Sequence, residues 1–315
     1  MGRERPSVTT KREAAAIATA PAPAGVTPDR VASGTVAATS TGVHMTPGHE
    51  YYLNGDGPVP SVTTVLGIMD KPAVGVFKAK EAVRALYRLD IHTLHSASEE
   101  EQIKWALAQA DKVRDTAASL GSSVHLLADL EGMALGGQES AYKGFQVSDD
   151  TIPYLEAYRG FLARYSASSI VSSEHAVWSL QGYAGTYDLM MNMTCQECVA
   201  LGHSTDDLCS EPELWLIDIK TSGKGPYPEW GLQLAGYRWA DYIVLPGDPV
   251  LYPMPQIQRA GVLHLRPDLY LDTGWRLIEY PISYDLDYRK GFLAALELYR
   301  WREGKRFTKS KLLKP

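Results

Sequence analysis

Cysteine is scarce: the chain has three in 315 residues, all between positions 195 and 209. That distribution excludes a disulfide framework and points to a reducing compartment. Long apolar runs are missing too, with no stretch approaching the roughly 18 residues that a membrane-spanning helix needs. The N-terminus carries Arg3, Arg5, Lys11 and Arg12 ahead of Ala14–Ala18, but that apolar stretch is short and weak and Pro21 and Pro23 follow it. Secretion is therefore rejected, Glu4 and Glu13 count against a transit peptide, and a cytoplasmic location is expected. Net positive charge is also lacking, since 31 Lys and Arg face 37 Asp and Glu for a formal charge of −6. A protein that coats nucleic acid through many phosphate contacts is disfavoured. A site where a few carboxylates gather metal ions is not. Finally, Ser222-Gly223-Lys224-Gly225 lacks the spacing of a phosphate-binding loop.

What is present is an ordinary globular composition, 45% hydrophobic and 22% charged. Residues 1–45 are rich in Ala, Thr, Val, Pro, Gly and Ser without periodicity, and read as a disordered arm, with folding expected from near Tyr51. One domain is expected over 46–303, followed by a basic tail over 304–315 that carries Lys305, Arg306, Lys309, Lys311 and Lys314. Within the domain, Pro60 to Gly67 reads as a short capped helix and Val76 to Leu89 has helical apolar spacing. Ser98-Glu99-Glu100-Glu101 fits a capping box, opening a helical region that runs, with or without a break, through Trp105 to about Leu130. A further helix is expected from Ile152 to Tyr165.

The period then changes. Ile170 to Leu180, Tyr183 to Met193 and Leu214 to Thr221 alternate like strands, the first two joined by a turn at Gln181-Gly182. Trp230 to Ile243 reads as helical, Val262 to Arg266 and Trp275 to Ile282 as a hairpin, and Tyr288 to Trp301 as a closing helix. Consecutive strands between helices predict an α/β fold of the α+β kind: a mixed central sheet flanked by helices, with a helical N-terminal portion.

The stretch Leu214 to Thr221 is apolar except for Asp218 and Lys220, which alternation puts on one face. Burying both is costly unless they pair or meet a metal. Taken alone, a buried ion pair explains them equally well. Upstream, Gly182 to Asp188 ends the approach to the preceding strand with another carboxylate, and two acids on adjacent strands can share an oxygen-loving ion such as Mg²⁺ or Mn²⁺. His125 stands on a helix within Gly121-Ser122-Ser123-Val124-His125, and Gln233 and Tyr237 stand four apart on the helix after Lys220.

The ordered set G-x-x-x-H, G-x-x-D, D-x-K and Q-x-x-x-Y, together with Tyr51 to Gly67, resembles the RecB-type branch of the PD-(D/E)xK nuclease superfamily. That branch includes phage exonucleases and mitochondrial genome maintenance exonucleases, and the resemblance spans residues 50–300. It implies a restriction-endonuclease-like core and Mg²⁺- or Mn²⁺-dependent hydrolysis of DNA. Asp188 and Asp218 correspond to the metal-binding acids, His125 to the helix histidine and further ligand, and Lys220 to the catalytic lysine. Gln233 and Tyr237 correspond to a DNA-contacting pair and Glu174 to a first-strand support acid; Lys224, outside these motifs, reads equally as a DNA-binding residue near the DNA path or as a solvated loop lysine. The implied substrate is DNA that is single-stranded or has free ends, in recombination, repair or phage genome processing, with a recombination protein or helicase as a conceivable partner. An endonuclease of structure-specific or restriction type, and a non-catalytic DNA-binding protein on the same fold, are the alternatives.

Between the second and third strands, Cys195, Cys198, His203 and Cys209 resemble a zinc knuckle with one extra residue in the last gap, and point to a structural Zn²⁺ site in an insertion over 194–210. Three cysteines in one loop do not match the four-cysteine iron–sulfur nucleases of the superfamily, so no such cluster is expected.

Overall fold

The computed structural model describes residues 43–46, 50–53, 56–90, 96–135, 147–165, 170–194, 212–245, 248 and 250–304. The bulk of the arm over 1–45, the four zinc-ligand candidates and the tail beyond Gly304 lie outside the described residues. One boundary is corrected. Val43–Met45 forms a strand, β1, inside the stretch read as an arm, because it pairs with β2 (Glu50–Leu53). With β3 (Asp56–Pro60) these strands make a small antiparallel sheet in the order β1-β2-β3.

Ser61 stops β3 and starts a helix: its hydroxyl accepts the amide of Thr64 at 2.9 Å, capping α1 (Val62–Leu66). Next comes α2 (Pro72–Arg88), opened by proline in the first turn, where a missing amide costs nothing. The expected capping box opens α3 (Glu99–Leu135): the Ser98 amide donates to the Glu101 carboxylate at 2.8 Å and the Ser98 hydroxyl accepts the Glu101 amide at 3.4 Å. Sequence alone leaves open whether this region is broken, and α3 is continuous over 37 residues. Its Gly121 is accommodated where the helix passes Thr221.

After α4 (Ile152–Tyr165) come β4 (Ile170–Ser179), β5 (Tyr183–Met193) and β6 (Glu213–Lys220), then α5 (Pro228–Arg238). The helix expected to reach Ile243 ends at Arg238, and Tyr242–Val244 forms β7 instead. Two forces decide this. Asp241 accepts the Ser179 hydroxyl at 2.9 Å and the Leu180 amide at 2.7 Å, fixing the chain at the end of β4. The β-branched pair Ile243-Val244 then lies beside Val177 and Ala176. The short β8 (Leu251–Pro253) had no sequence signal. The chain closes with β9 (Arg259–Leu265), β10 (Trp275–Glu279) and α6 (Asp285–Glu303).

The fold is mixed α/β. A seven-stranded sheet runs β10-β9-β6-β5-β4-β7-β8, in which β6 and β9 are parallel and the other pairings are antiparallel. The return from β6 to β9 passes through α5, as a parallel crossover requires. Buried clusters cover both faces. On one side α1, α5 and α6 meet Tyr187, Met190, Leu216 and Val262; on the other, α3 and α4 meet Leu189, Met191, Trp215, Ile217 and Ile219. The alternation read in β6 thus holds, with Ile217 and Ile219 facing away from the Leu216 side. No helix among the described residues is long and apolar enough to cross a membrane.

Candidate active site

Strand alternation, one helix turn and one close backbone approach bring the candidate residues together. Register pairs Leu189 with Ile217, so Asp188 lies next to the segment that carries Asp218 and Lys220. Asp188 Oδ2 accepts the Ile219 amide at 2.5 Å, and its Oδ1 lies 3.1 Å from His125 Nδ1 on α3. Asp218 is buried at 2% exposure. Its Oδ1 accepts Gln233 Nε2 at 2.8 Å, and the same amide nitrogen is 3.0 Å from the Tyr237 hydroxyl, so the pair four apart on α5 acts on one carboxylate.

These side chains line a cavity of about 500 Å³. His125, Glu174, Asp188, Asp218, Lys220, Gln233 and Tyr237 all reach it, and Tyr51, Ser61, Thr63 and Thr186 complete its lining. Lys224 does not; it is exposed on the loop after β6. Tyr51 and Thr186 were not picked out by sequence, and their hydroxyls are 2.9 Å apart. A signal for Thr186 existed, because it stands two residues before Asp188 on β5 and therefore shares its face. Tyr51 had none, since the three-stranded sheet that delivers it is distant in sequence.

Crowding of charge dominates the electrostatics. Burial alone would lower the His125 pKa, but the charge and hydrogen bond of Asp188, aided by Asp218, overcome it and raise the imidazole to about 9. Burial, reinforced by Asp188, raises Glu174 to about 8. Asp218 rises to about 6, because burial and the neighbouring Asp188 outweigh the pull of Lys220. Asp188 moves the other way: its burial is overcome by His125, Lys220 and the Ile219 amide. Lys220 is desolvated as well, yet Asp218 and Asp188 hold its pKa above the ordinary lysine value, so it stays an ammonium at neutral pH.

Lys220 Nζ lies 2.5 Å from Asp218 Oδ2, so this buried carboxylate has the ammonium on one oxygen and Gln233 on the other. Ligand atoms of His125, Glu174 and Asp188 lie within 4.8 Å of one another. Three acids and one imidazole make a hard, oxygen-rich donor set that fits Mg²⁺ or Mn²⁺.

The floor depends on a glycine. A Cβ on Gly185 would sit 2.7 Å from Tyr237 Cε1 and 3.2 Å from Val62 Cγ2, so a side chain there drives Tyr237 away from Gln233. Gly185→Ala is expected to lower unfolding stability by about 1–3 kcal/mol, the cost of overpacking a close contact. Urea denaturation measures it, and unchanged stability would mean that α5 shifts without cost.

No protein-family model and no curated relative matches this sequence.

Proposed function

We propose that this chain is a Mg²⁺- or Mn²⁺-dependent deoxyribonuclease with a PD-(D/E)xK-type core, acting as an exonuclease on DNA ends. The observation that carries this reading is the meeting of Asp188, Asp218 and Lys220, from adjacent strands, in one cavity with His125 and Glu174. An isolated structural ion pair would have no use for His125 and a third acid at the same point. A non-catalytic DNA-binding surface would have no use for three carboxylates gathered in one cavity, where they repel phosphate.

Asp188, Asp218, His125 and Glu174 would hold the cation. When bound, the ion lowers the pKa of water and offsets the charge of the phosphodiester. The chain's own groups do the rest. The Lys220 ammonium, permanently charged, faces the cavity and stabilises negative charge that develops on the phosphate oxygens; it is no base at neutral pH. Gln233 holds Asp218 in orientation through its amide, and Tyr237 holds Gln233. Hydroxyls of Tyr51, Thr63 and Thr186 in the cavity lining offer contacts to phosphate and sugar oxygens, contacts that carry no sequence information.

End-labelled linear DNA, single- and double-stranded, incubated with Mg²⁺ beside a covalently closed circle, tests the reading. The expected result is loss of linear DNA with the circle intact. Nicking or cutting of the circle would establish an endonuclease instead.

A structural Zn²⁺ held by Cys195, Cys198, His203 and Cys209 completes the proposal, on sequence spacing alone. Elemental analysis of protein purified without chelator is expected to give about one zinc per chain; a content near zero removes the site.

A further inference from the structure

Glu174 stands out in the backbone. Among the described residues it is the one non-glycine residue with positive φ, +51°. L-residues avoid this region because Cβ crowds the carbonyl, and it persists only where the surroundings over-determine it. The turn is local: the flanking pairs Ser173 with Leu189 and His175 with Tyr187 both keep their register. Something must therefore hold β4 on both sides of a disfavoured residue without letting the strand slip.

The restraint comes from α3. Asp129 stands one turn beyond His125, on the same helix face, and accepts the Ser173 hydroxyl at 2.7 Å. Gly132 on the same helix packs beside Ser173: a Cβ there would lie in ordinary contact, 3.4 Å from Ser173 Oγ. One residue earlier, the Ser172 hydroxyl and the Tyr187 hydroxyl are 2.7 Å apart. Between these ties and His175, the Glu174 carboxylate is turned toward α3, where it stands 4.0 Å from His125 Nδ1 and joins the cluster with Asp188.

We propose that Asp129 is a positioning residue: its hydrogen bond to Ser173 anchors β4 to α3 and maintains the left-handed turn that aims Glu174 at His125 and Asp188. This inference rests on the metal-site reading above. It gives one helix two tasks at positions four apart, a ligand at His125 and a brace at Asp129. It also accounts for strained backbone at a strand position where ordinary alternation would serve any structural purpose. Partners of this kind, one step removed from a metal ligand, typically change metal affinity by about 10–100-fold.

Mn²⁺ affinity, read by the electron paramagnetic resonance signal of the free ion, tests it on folded full-length protein. Asp129→Ala is expected to weaken Mn²⁺ binding by about tenfold or more, in the range of such partners. Asp129→Asn, which keeps an oxygen acceptor for Ser173, is expected to restore most of it. The deciding comparison is Asp129→Ala combined with Glu174→Gln. If Asp129 acts through Glu174, the double variant binds no more weakly than Glu174→Gln alone; losses that add would overturn the proposal, because independent effects add. Glu174→Gly, which suits the left-handed turn, is expected to raise the Tm of the metal-free protein while weakening Mn²⁺ binding. Should Asp129→Ala not fold, Ser173→Ala removes the same hydrogen bond from the strand side and takes its place in the cycle. Wild-type affinity in Asp129→Ala, beside a weakened Glu174→Gln, overturns the positioning role and leaves the metal site standing. Failure of wild-type protein to bind Mn²⁺ overturns the site itself, and the positioning role with it.

Discussion

Lys220→Ala is expected to lower the rate of DNA cleavage by roughly 10²–10³, the usual cost of removing one preorganised donor that faces developing charge, while Mn²⁺ affinity is retained or strengthened. The two halves of this expectation have one cause. Lys220 lies 2.5 Å from Asp218 Oδ2, so in the metal-free site it partly does the work of a cation. Its removal takes away a positive charge that opposes a second one, and frees the carboxylate oxygen to ligate. Nothing then remains to stabilise charge on the phosphate from that side. Loss of Asp218's partner also leaves a buried acid, which accepts a proton before metal is added; circular dichroism verifies that the variant stays folded. Loss of cleavage together with loss of Mn²⁺ binding would instead make Lys220 a structural residue, and a rate within about tenfold of wild type would remove it from the chemistry.

The increment in Tm produced by saturating Mn²⁺ is expected to be larger at pH 8.5 than at pH 6. The sign follows from the direction of each shift. His125 at about 9 and Glu174 at about 8 are both raised above their ordinary values. Their protonated forms therefore favour the metal-free fold: that contribution is complete below the ordinary values and is lost as pH rises through 8 to 9. A cation requires both groups deprotonated and restores what alkaline pH removes. The depressed Asp188 acts in a different window, contributing above the ordinary aspartate value and losing its contribution only as pH falls through its lowered one. At pH 7, then, metal uptake releases about two protons. Calorimetry in buffers of different ionisation enthalpy counts them. A metal-induced increment independent of pH, with no proton release, would exclude His125 and Glu174 as ligands.

The legible parts of this protein are those where local chemistry and tertiary need agree. In β5 and β6 continuous apolar runs mark strands buried on both faces, and side-chain alternation puts Asp218 and Lys220 on one face; that Asp188 meets them is set by the register of Leu189 with Ile217. The capping box at Ser98 and Glu101 closes as written. Illegible parts are settled at a distance. Whether the chain after Arg238 continues as helix or turns into β7 depends on Asp241 meeting the end of β4, some 60 residues earlier, and helical spacing alone extends the helix too far. Tyr51 enters the cavity because a separate small sheet closes over it. Glu174 is the sharpest case: its side-chain direction depends on one left-handed residue and a hydrogen bond between its neighbour and Asp129, neither of which leaves a mark in local sequence.

The central claim is that divalent metal at this cavity drives hydrolysis of DNA. Metal-stripped protein, mixed with end-labelled linear DNA and titrated with Mn²⁺, tests it most directly, with Asp188→Asn and Asp218→Asn run in parallel. The account predicts no cleavage in chelator, saturable recovery of cleavage with Mn²⁺, and no recovery in either variant. Cleavage that persists in chelator, or that returns in the variants as it does in wild type, would contradict it.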